Sequence, residues 1–221
     1  MWTLNEDLLC DRIEYFKIAF NSKFMEGTTK EIKKPEDDTV IFAKLIDWVY
    51  TNHLDCKDCQ TEEEGDAFGA EHELYWCGLW VLADKLGAKD LAAATIARIK
   101  NCLGIRRQRF KDSKCDISPE ALNFVYEHES GRYPLKDLML NELLKLWYSK
   151  GYSEDEGKAR TAKHIDGHED MFLDLMEEVE RHKGSKECWN KKSCYLHVRR
   201  NPLRGWSYEN YQPPAGGFGS T

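Results

Sequence analysis

The chain has 221 residues, of which 41% are hydrophobic, enough for one domain with an appendage or for two small domains. Its net charge of −7 argues against a general binder of nucleic acid or of an anionic membrane, and it has no run of about 18 apolar residues that would predict a transmembrane helix. The N-terminal residues lack the basic and apolar regions of a secretory signal, so we expect the eight cysteines to be reduced thiols in the cytosol or nucleus.

The N-terminal part predicts three helices and one short strand. Asn5 is the expected N-cap of the first helix, and the second helix ends near Phe24. Residues 28–33 alternate weakly between polar and apolar side chains, which favours a short strand. Asp37 or Asp38 then caps a helix with a clear apolar stripe. The stripe consists of Phe42, Leu45, Ile46 and Val49.

A hairpin of two helices at residues 74–103 is the predicted centre of the core. Its first helix is apolar on most sides, which is typical of a helix buried between other elements. Gly87 is the expected left-handed C-cap between the two helices. The polar and acidic residues 52–70 predict a long loop that joins the hairpin to the preceding helix.

Two further helices are predicted after the hairpin. Ser118 and Pro119 are typical of a helix start, and Pro134 opens the next helix. A charged, glycine-containing linker leads to a last amphipathic helix that contains Phe172 and Leu175.

Several short motifs occur in an order and spacing that together resemble a BTB/POZ domain of the fungal type over residues 1–104. The motifs are Leu8-Leu9-Cys10, Glu14-Tyr15-Phe16, Ala19-Phe20, Phe24-Met25-Glu26, Pro35-Glu36-Asp37-Asp38, Trp48-Val49-Tyr50-Thr51 and Val81-Leu82-Ala83-Asp84-Lys85-Leu86. The resemblance implies a predominantly helical α+β fold, in which a helical cluster carries a small sheet. It also implies a protein-interaction module, not an enzyme.

The resemblance and the composition of the C-terminal part divide the chain into four parts. We expect a BTB/POZ domain at 1–104, a helical extension at 105–150, a charged linker with a C-terminal helix and a Cys/His segment at 151–200, and a disordered tail at 201–221. Family members usually have a β-hairpin before the first helix. Here residues 2–4 resemble only the end of its second strand, so the sheet is expected to be reduced. Family domains commonly form homodimers through this strand and the first helix, and the shortened start leaves that state open.

A partner site is implied by Phe24-Met25-Glu26, which matches an apolar-x-Glu motif. Some BTB adaptors use this motif to hold the cullin scaffold of a ubiquitin ligase, and Trp48 and Tyr50 are expected to contribute to the contact. The apolar side chain would fill a groove and the carboxylate would accept hydrogen bonds. The alternative is that Phe24 closes the second helix against the core.

Metal-ligand spacing occurs at two places. Cys56-x-x-Cys59 has His53 nearby and His72 further along, but no second Cys-x-x-Cys pair exists, so two loop thiols without metal are expected. The C-terminal set suits tetrahedral zinc by residue type, although its spacing fits no common zinc finger. The set consists of His182, Cys188, Cys194 and His197.

The remaining motifs give a weaker functional signal. The basic run at residues 106–111 could contact phosphate, but a solvated connector is the favoured interpretation. No P-loop, Rossmann glycine pattern, GxSxG or HExxH motif is present, so no catalytic function is predicted. The sequence thus predicts a protein-interaction module, with cullin adaptor as its specific form. The alternatives are a zinc-stabilised regulator that contacts nucleic acid or protein through the C-terminal segment, and a degenerate domain without an active partner.

Overall fold

The structure, a computed structural model, describes the backbone of most of the first 182 residues. The described residues are 2–33, 37–56, 70–109, 117–128, 134–147, 161–162, 164–165 and 169–182. Nine helices are defined there: α1 (Glu6–Arg12), α2 (Glu14–Phe20), α3 (Met25–Thr29), α4 (Thr39–Thr51), α5 (Ala70–Lys85), α6 (Lys89–Arg109), α7 (Pro119–His128), α8 (Pro134–Trp147) and α9 (Glu169–His182). No helix within these ranges combines the length and apolar composition that crossing a membrane requires.

The predicted small sheet is absent from the described residues, so the α+β prediction is wrong for this part of the chain. Helices make up 81% of the described residues, and no strand occurs among them. Thr28 and Thr29 belong to α3, and Lys30 ends that helix in the left-handed conformation. Residues 31–33 and 2–4 are non-helical segments that border the same groove of ≈ 630 Å³. A strand needs a hydrogen-bonded neighbour, and these two segments have no ladder between them.

The α5–α6 hairpin lies at the centre of the core, as the sequence predicts. α4 and α7 both pack on α5, while α1 and α2 pack on each other and α1 on α4. The buried residues of α5 extend from His72 to Ala83 and include Trp76 and Trp80. α5 needs no polar face because neighbouring helices cover it on several sides.

Local capping signals mark three of the helix starts and the end of α5. The Asn5 side chain accepts a hydrogen bond from the Leu8 N–H at 2.9 Å, and Asp38 caps α4 in the same manner. Gly87 has a φ of +65° between α5 and α6, as a left-handed C-cap requires. Ser118 accepts from the Ala121 N–H at 3.2 Å at the start of α7.

The predicted boundary between 1–104 and 105–150 falls inside α6, which continues to Arg109. Arg106 of this extension pairs with Glu73 of α5, and the same carboxylate accepts a hydrogen bond from the Ser118 N–H at 2.7 Å. Arg107 pairs with Glu142 of α8. The first part of the basic run is therefore structural, because both arginines neutralise carboxylates that are buried in the core. Residues 110 and 111 lie outside the described residues.

Candidate functional site

The Phe24-Met25-Glu26 segment forms a corner between α2 and α3. The Ser22 hydroxyl donates to the Ala19 carbonyl at 2.8 Å and accepts from the Phe24 N–H at 3.2 Å, so it fixes the turn that leaves α2. Gly27 lies against this turn, because a Cβ at that position would be 2.0 Å from the Ser22 carbonyl oxygen. Only glycine permits so close an approach.

Lys30, which ends α3, connects the other side of this corner to α1 and α2. Its Nζ lies 2.7 Å from Glu6 Oε1 and donates to the Phe20 carbonyl at 2.9 Å, and it also sits 5.6 Å from the centre of the Phe20 ring. The short α3 is therefore fixed at both ends by polar contacts.

The side chains at this corner point into solvent. Phe24 is 75% exposed and Met25 is 77% exposed, while Glu26 is half-buried in the first turn of α3. Phe24 does not close α2 against the core, since α2 ends at Phe20, whose own side chain fills that place. Two adjacent large apolar groups thus remain uncovered on a part of the backbone that is well fixed.

The other two predicted partner residues have different environments. Trp48 is only 2% exposed and packs in the core, with the Arg12 guanidinium 5.5 Å from its ring centre. Tyr50 is exposed, and its hydroxyl accepts a hydrogen bond from the Asn5 N–H at 3.0 Å. Trp48 therefore stabilises the contact between α1 and α4, and of these two only Tyr50 presents its side chain to solvent.

A second candidate site lies in the core, where the chain brings Cys56, His72 and Cys102 together. One ligand atom from each lies within 4.8 Å of the others, and all three residues are buried. Cys56 lies in the segment that follows α4, His72 lies in the first turn of α5, and Cys102 lies on α6. Two thiols and one imidazole form a donor set that could hold a soft divalent metal ion.

The contacts of His72 define which ring nitrogen faces Cys56. Nε2 lies 3.1 Å from Cys56 Sγ, and it accepts a hydrogen bond from the Trp76 indole N–H at 3.1 Å. An imidazole nitrogen that accepts a hydrogen bond is the unprotonated one, so this contact places the ring proton on Nδ1. Nε2 therefore has the lone pair that a metal ion would use.

The sequence interpretation noticed Cys56 and His72 but did not join them to Cys102. A signal was available in the hairpin itself. His72 lies fifteen residues before Gly87 and Cys102 fifteen residues after it. In an antiparallel helical hairpin, positions at equal distance from the turn lie at the same level along the two helices, so the spacing places these two residues near each other. Cys59, the other half of the Cys-x-x-Cys pair, lies outside the described residues.

The side chains of the predicted C-terminal metal set lie outside the described residues. His182 is the last residue of α9, but its side chain lies outside the described part, as do all atoms of Cys188, Cys194 and His197. None of the described cysteines is joined in a disulfide. These cysteines are Cys10, Cys56, Cys77 and Cys102.

Comparison with protein-family models, with curated proteins and with solved structures found no match to this chain. The resemblance to BTB/POZ domains therefore stays a prediction.

Proposed function

We propose that this protein is a protein-interaction module that docks a protein partner through Phe24, Met25 and Glu26. The observation that carries the proposal is the exposure of two adjacent large apolar side chains on the fixed corner before α3. Aromatic residues and methionine are enriched at protein interfaces, and a nearby carboxylate can fix the orientation of the partner. The proposed role is binding, without catalysis.

The N-terminal domain of a cullin is the partner that we propose. Support comes from the apolar-x-Glu pattern of the corner together with the BTB/POZ resemblance of the helices that surround it. In this complex Phe24 fills an apolar groove, and Glu26 accepts hydrogen bonds from donors at the edge of that groove. Burial of a phenylalanine side chain contributes about 1.5–3 kcal/mol, so Phe24 is expected to contribute substantially to the affinity. The proposal sets this interaction in the cytosol or nucleus, where the thiols of the chain stay reduced.

The test is a calorimetric titration of a purified cullin N-terminal domain with the full chain. Phe24→Ala should weaken binding by roughly ten- to a hundredfold, following from the burial term above. Val40→Ala is the matched control, because Val40 is also a well-exposed apolar residue but lies on α4. Equal losses for both variants, or no binding by folded wild type, would remove the cullin assignment.

A zinc-stabilised protein is the second candidate function, and the buried Cys56, His72 and Cys102 cluster favours it. Zinc prefers thiolate and imidazole ligands in tetrahedral geometry, with Zn–S distances of about 2.3 Å. Tetrahedral angles then place two sulfurs about 3.8 Å apart, so two sulfurs within 4.8 Å of each other have to approach by about 1 Å at most. A cavity of ≈ 10 Å³ beside His72 and Cys102 has roughly the volume that one water needs as fourth ligand.

This second proposal differs from the sequence-based one in the position of the metal. Zinc at the cluster ties the segment after α4 to α5 and α6, and its role is structural. A variant with Cys188→Ser and Cys194→Ser should still retain one equivalent of zinc after dialysis, as measured by elemental analysis. Adding Cys102→Ser should abolish that retention. Less than half an equivalent in the first variant would contradict the core site.

A further inference from the structure

This inference rests on the zinc proposal and concerns how the site is controlled. We propose that Trp76 is a positioning residue that competes with zinc for His72 Nε2. The nitrogen has one lone pair, and the Trp76 indole N–H donates to it at 3.1 Å. The same nitrogen is the one that faces Cys56 Sγ. A zinc ion bound by Cys56 and His72 therefore displaces the indole from its acceptor.

Displacing the indole from its acceptor costs free energy because the indole N–H is buried. Trp76 is almost inaccessible to solvent and lies on α5, one helical turn after His72. Its position on the same helix face is fixed by the i, i+4 spacing, so the N–H stays close to the imidazole whether or not zinc is bound. A buried donor that loses its acceptor weakens the bound state. Trp76 thus keeps His72 correctly oriented and in the Nδ1–H form, while it lowers the affinity for the ion.

The change in zinc affinity on removal of the Trp76 N–H has one sign if Trp76 competes with zinc and the opposite sign if its role is only structural. Replacing Trp76 by phenylalanine removes the donor but retains an aromatic ring. If Trp76 competes with zinc, Trp76→Phe should bind zinc roughly three- to tenfold more tightly than wild type. If Trp76 only supports the packing of α5, the substitution loosens the site and weakens zinc binding.

The experiment is a competition titration against a chromophoric zinc chelator at neutral pH with a reductant present. All variants carry Cys188→Ser and Cys194→Ser, so that the C-terminal segment supplies no thiolates. Cys102→Ser should weaken zinc binding more than tenfold, because it removes a ligand. Cys10→Ser is the matched control, since Cys10 is a half-buried thiol on α1 outside the cluster, and it should leave the affinity unchanged.

The possible outcomes are distinguishable. Tighter zinc binding by Trp76→Phe supports the competition, whereas unchanged or weaker binding overturns it and leaves the zinc proposal intact. Failure of the background protein to bind any zinc overturns both. If Trp76→Phe does not fold, the indole ¹⁵N–¹H resonance of Trp76 in the background protein is followed during zinc addition. A large shift at one equivalent supports the competition, and an unmoved resonance at saturation overturns it.

Discussion

The junction of α5, α6 and α7 should depend strongly on one carboxylate, that of Glu73. Its Oε1 lies 2.5 Å from Arg106 Nη1, and its Oε2 accepts from the Ser118 N–H at 2.7 Å. Only 7% of the Glu73 side chain and 14% of the Arg106 side chain are exposed. Removing one partner of a buried ion pair leaves the other charge without compensation, at a cost of about 3–5 kcal/mol. Glu73→Ala should therefore lower the free energy of unfolding by that amount.

Two comparisons turn this expectation into a sharp test. Glu73→Gln retains an acceptor for the Ser118 N–H but no longer neutralises Arg106, so a smaller loss of about 1.5–3 kcal/mol is expected. Glu71→Ala is the control on an exposed face of the same helix and should change stability by less than about 0.5 kcal/mol. Urea unfolding followed by tryptophan fluorescence and circular dichroism measures all three. A loss below about 1 kcal/mol for Glu73→Ala would refute the reasoning about this ion pair.

Three further substitutions test other parts of the structure by the same urea unfolding. Asp38→Ala removes the cap that accepts from two N–H groups of α4 and should cost about 1 kcal/mol; an unchanged midpoint would contradict the capping role. Gly87→Ala forces a side chain into a φ of +65° and should cost about 1–2 kcal/mol, whereas a gain would show that the turn relaxes. Burial, together with the Arg107 guanidinium nearby, lowers the pKa of Lys145 to about 8. The unfolded chain therefore binds the ammonium proton of Lys145 more strongly than the folded chain, and the free energy of unfolding should rise between about pH 8 and pH 10. Since 44% of the Lys145 side chain is exposed, solvent screening limits that rise to under about 1 kcal/mol; Lys145→Gln should lack it, and an equal rise in the variant would assign the effect to other groups.

The helices were largely predictable because their signals are local. The Asn5 and Asp38 caps, the Gly87 turn and the Ser118-Pro119 start each depend on a few neighbouring residues. Helix lengths were less predictable. α2 ends four residues before Phe24, because the Ser22 turn takes over. That turn depends on a close contact with Gly27, which no periodicity reveals.

The strand prediction failed for the opposite reason. A strand is defined by its neighbour, and the weak alternation at residues 28–33 says nothing about whether a neighbour is present. The exposure of Phe24 could not be predicted from the sequence either, since a phenylalanine at a helix end fits both a core and a docking surface. Only the packing of Phe20 under the corner separates the two.

Only part of the buried Cys56, His72 and Cys102 cluster could be predicted from residue spacing. Cys56 and Cys102 are far apart in the sequence, and their meeting depends on the fold of the segment after α4. Once the hairpin was predicted, the equal distance of His72 and Cys102 from Gly87 placed them at the same level, but it did not show that their side chains face each other. The hydrogen bond from Trp76 to His72 could not be predicted, because the sequence does not indicate which acceptor a buried tryptophan N–H contacts.

The central claim is that the corner at Phe24, Met25 and Glu26 binds a cullin N-terminal domain. The most direct measurement compares the dissociation constants of two charge reversals, Glu26→Lys and Glu31→Lys, for that domain. Glu31 is an exposed carboxylate just after α3, so it controls for the change in net charge. The claim predicts that Glu26→Lys weakens binding at least tenfold in a folded protein, because a charge-assisted hydrogen bond contributes about 1.5–3 kcal/mol, while Glu31→Lys stays near wild type. Equal affinities of the two variants would contradict it.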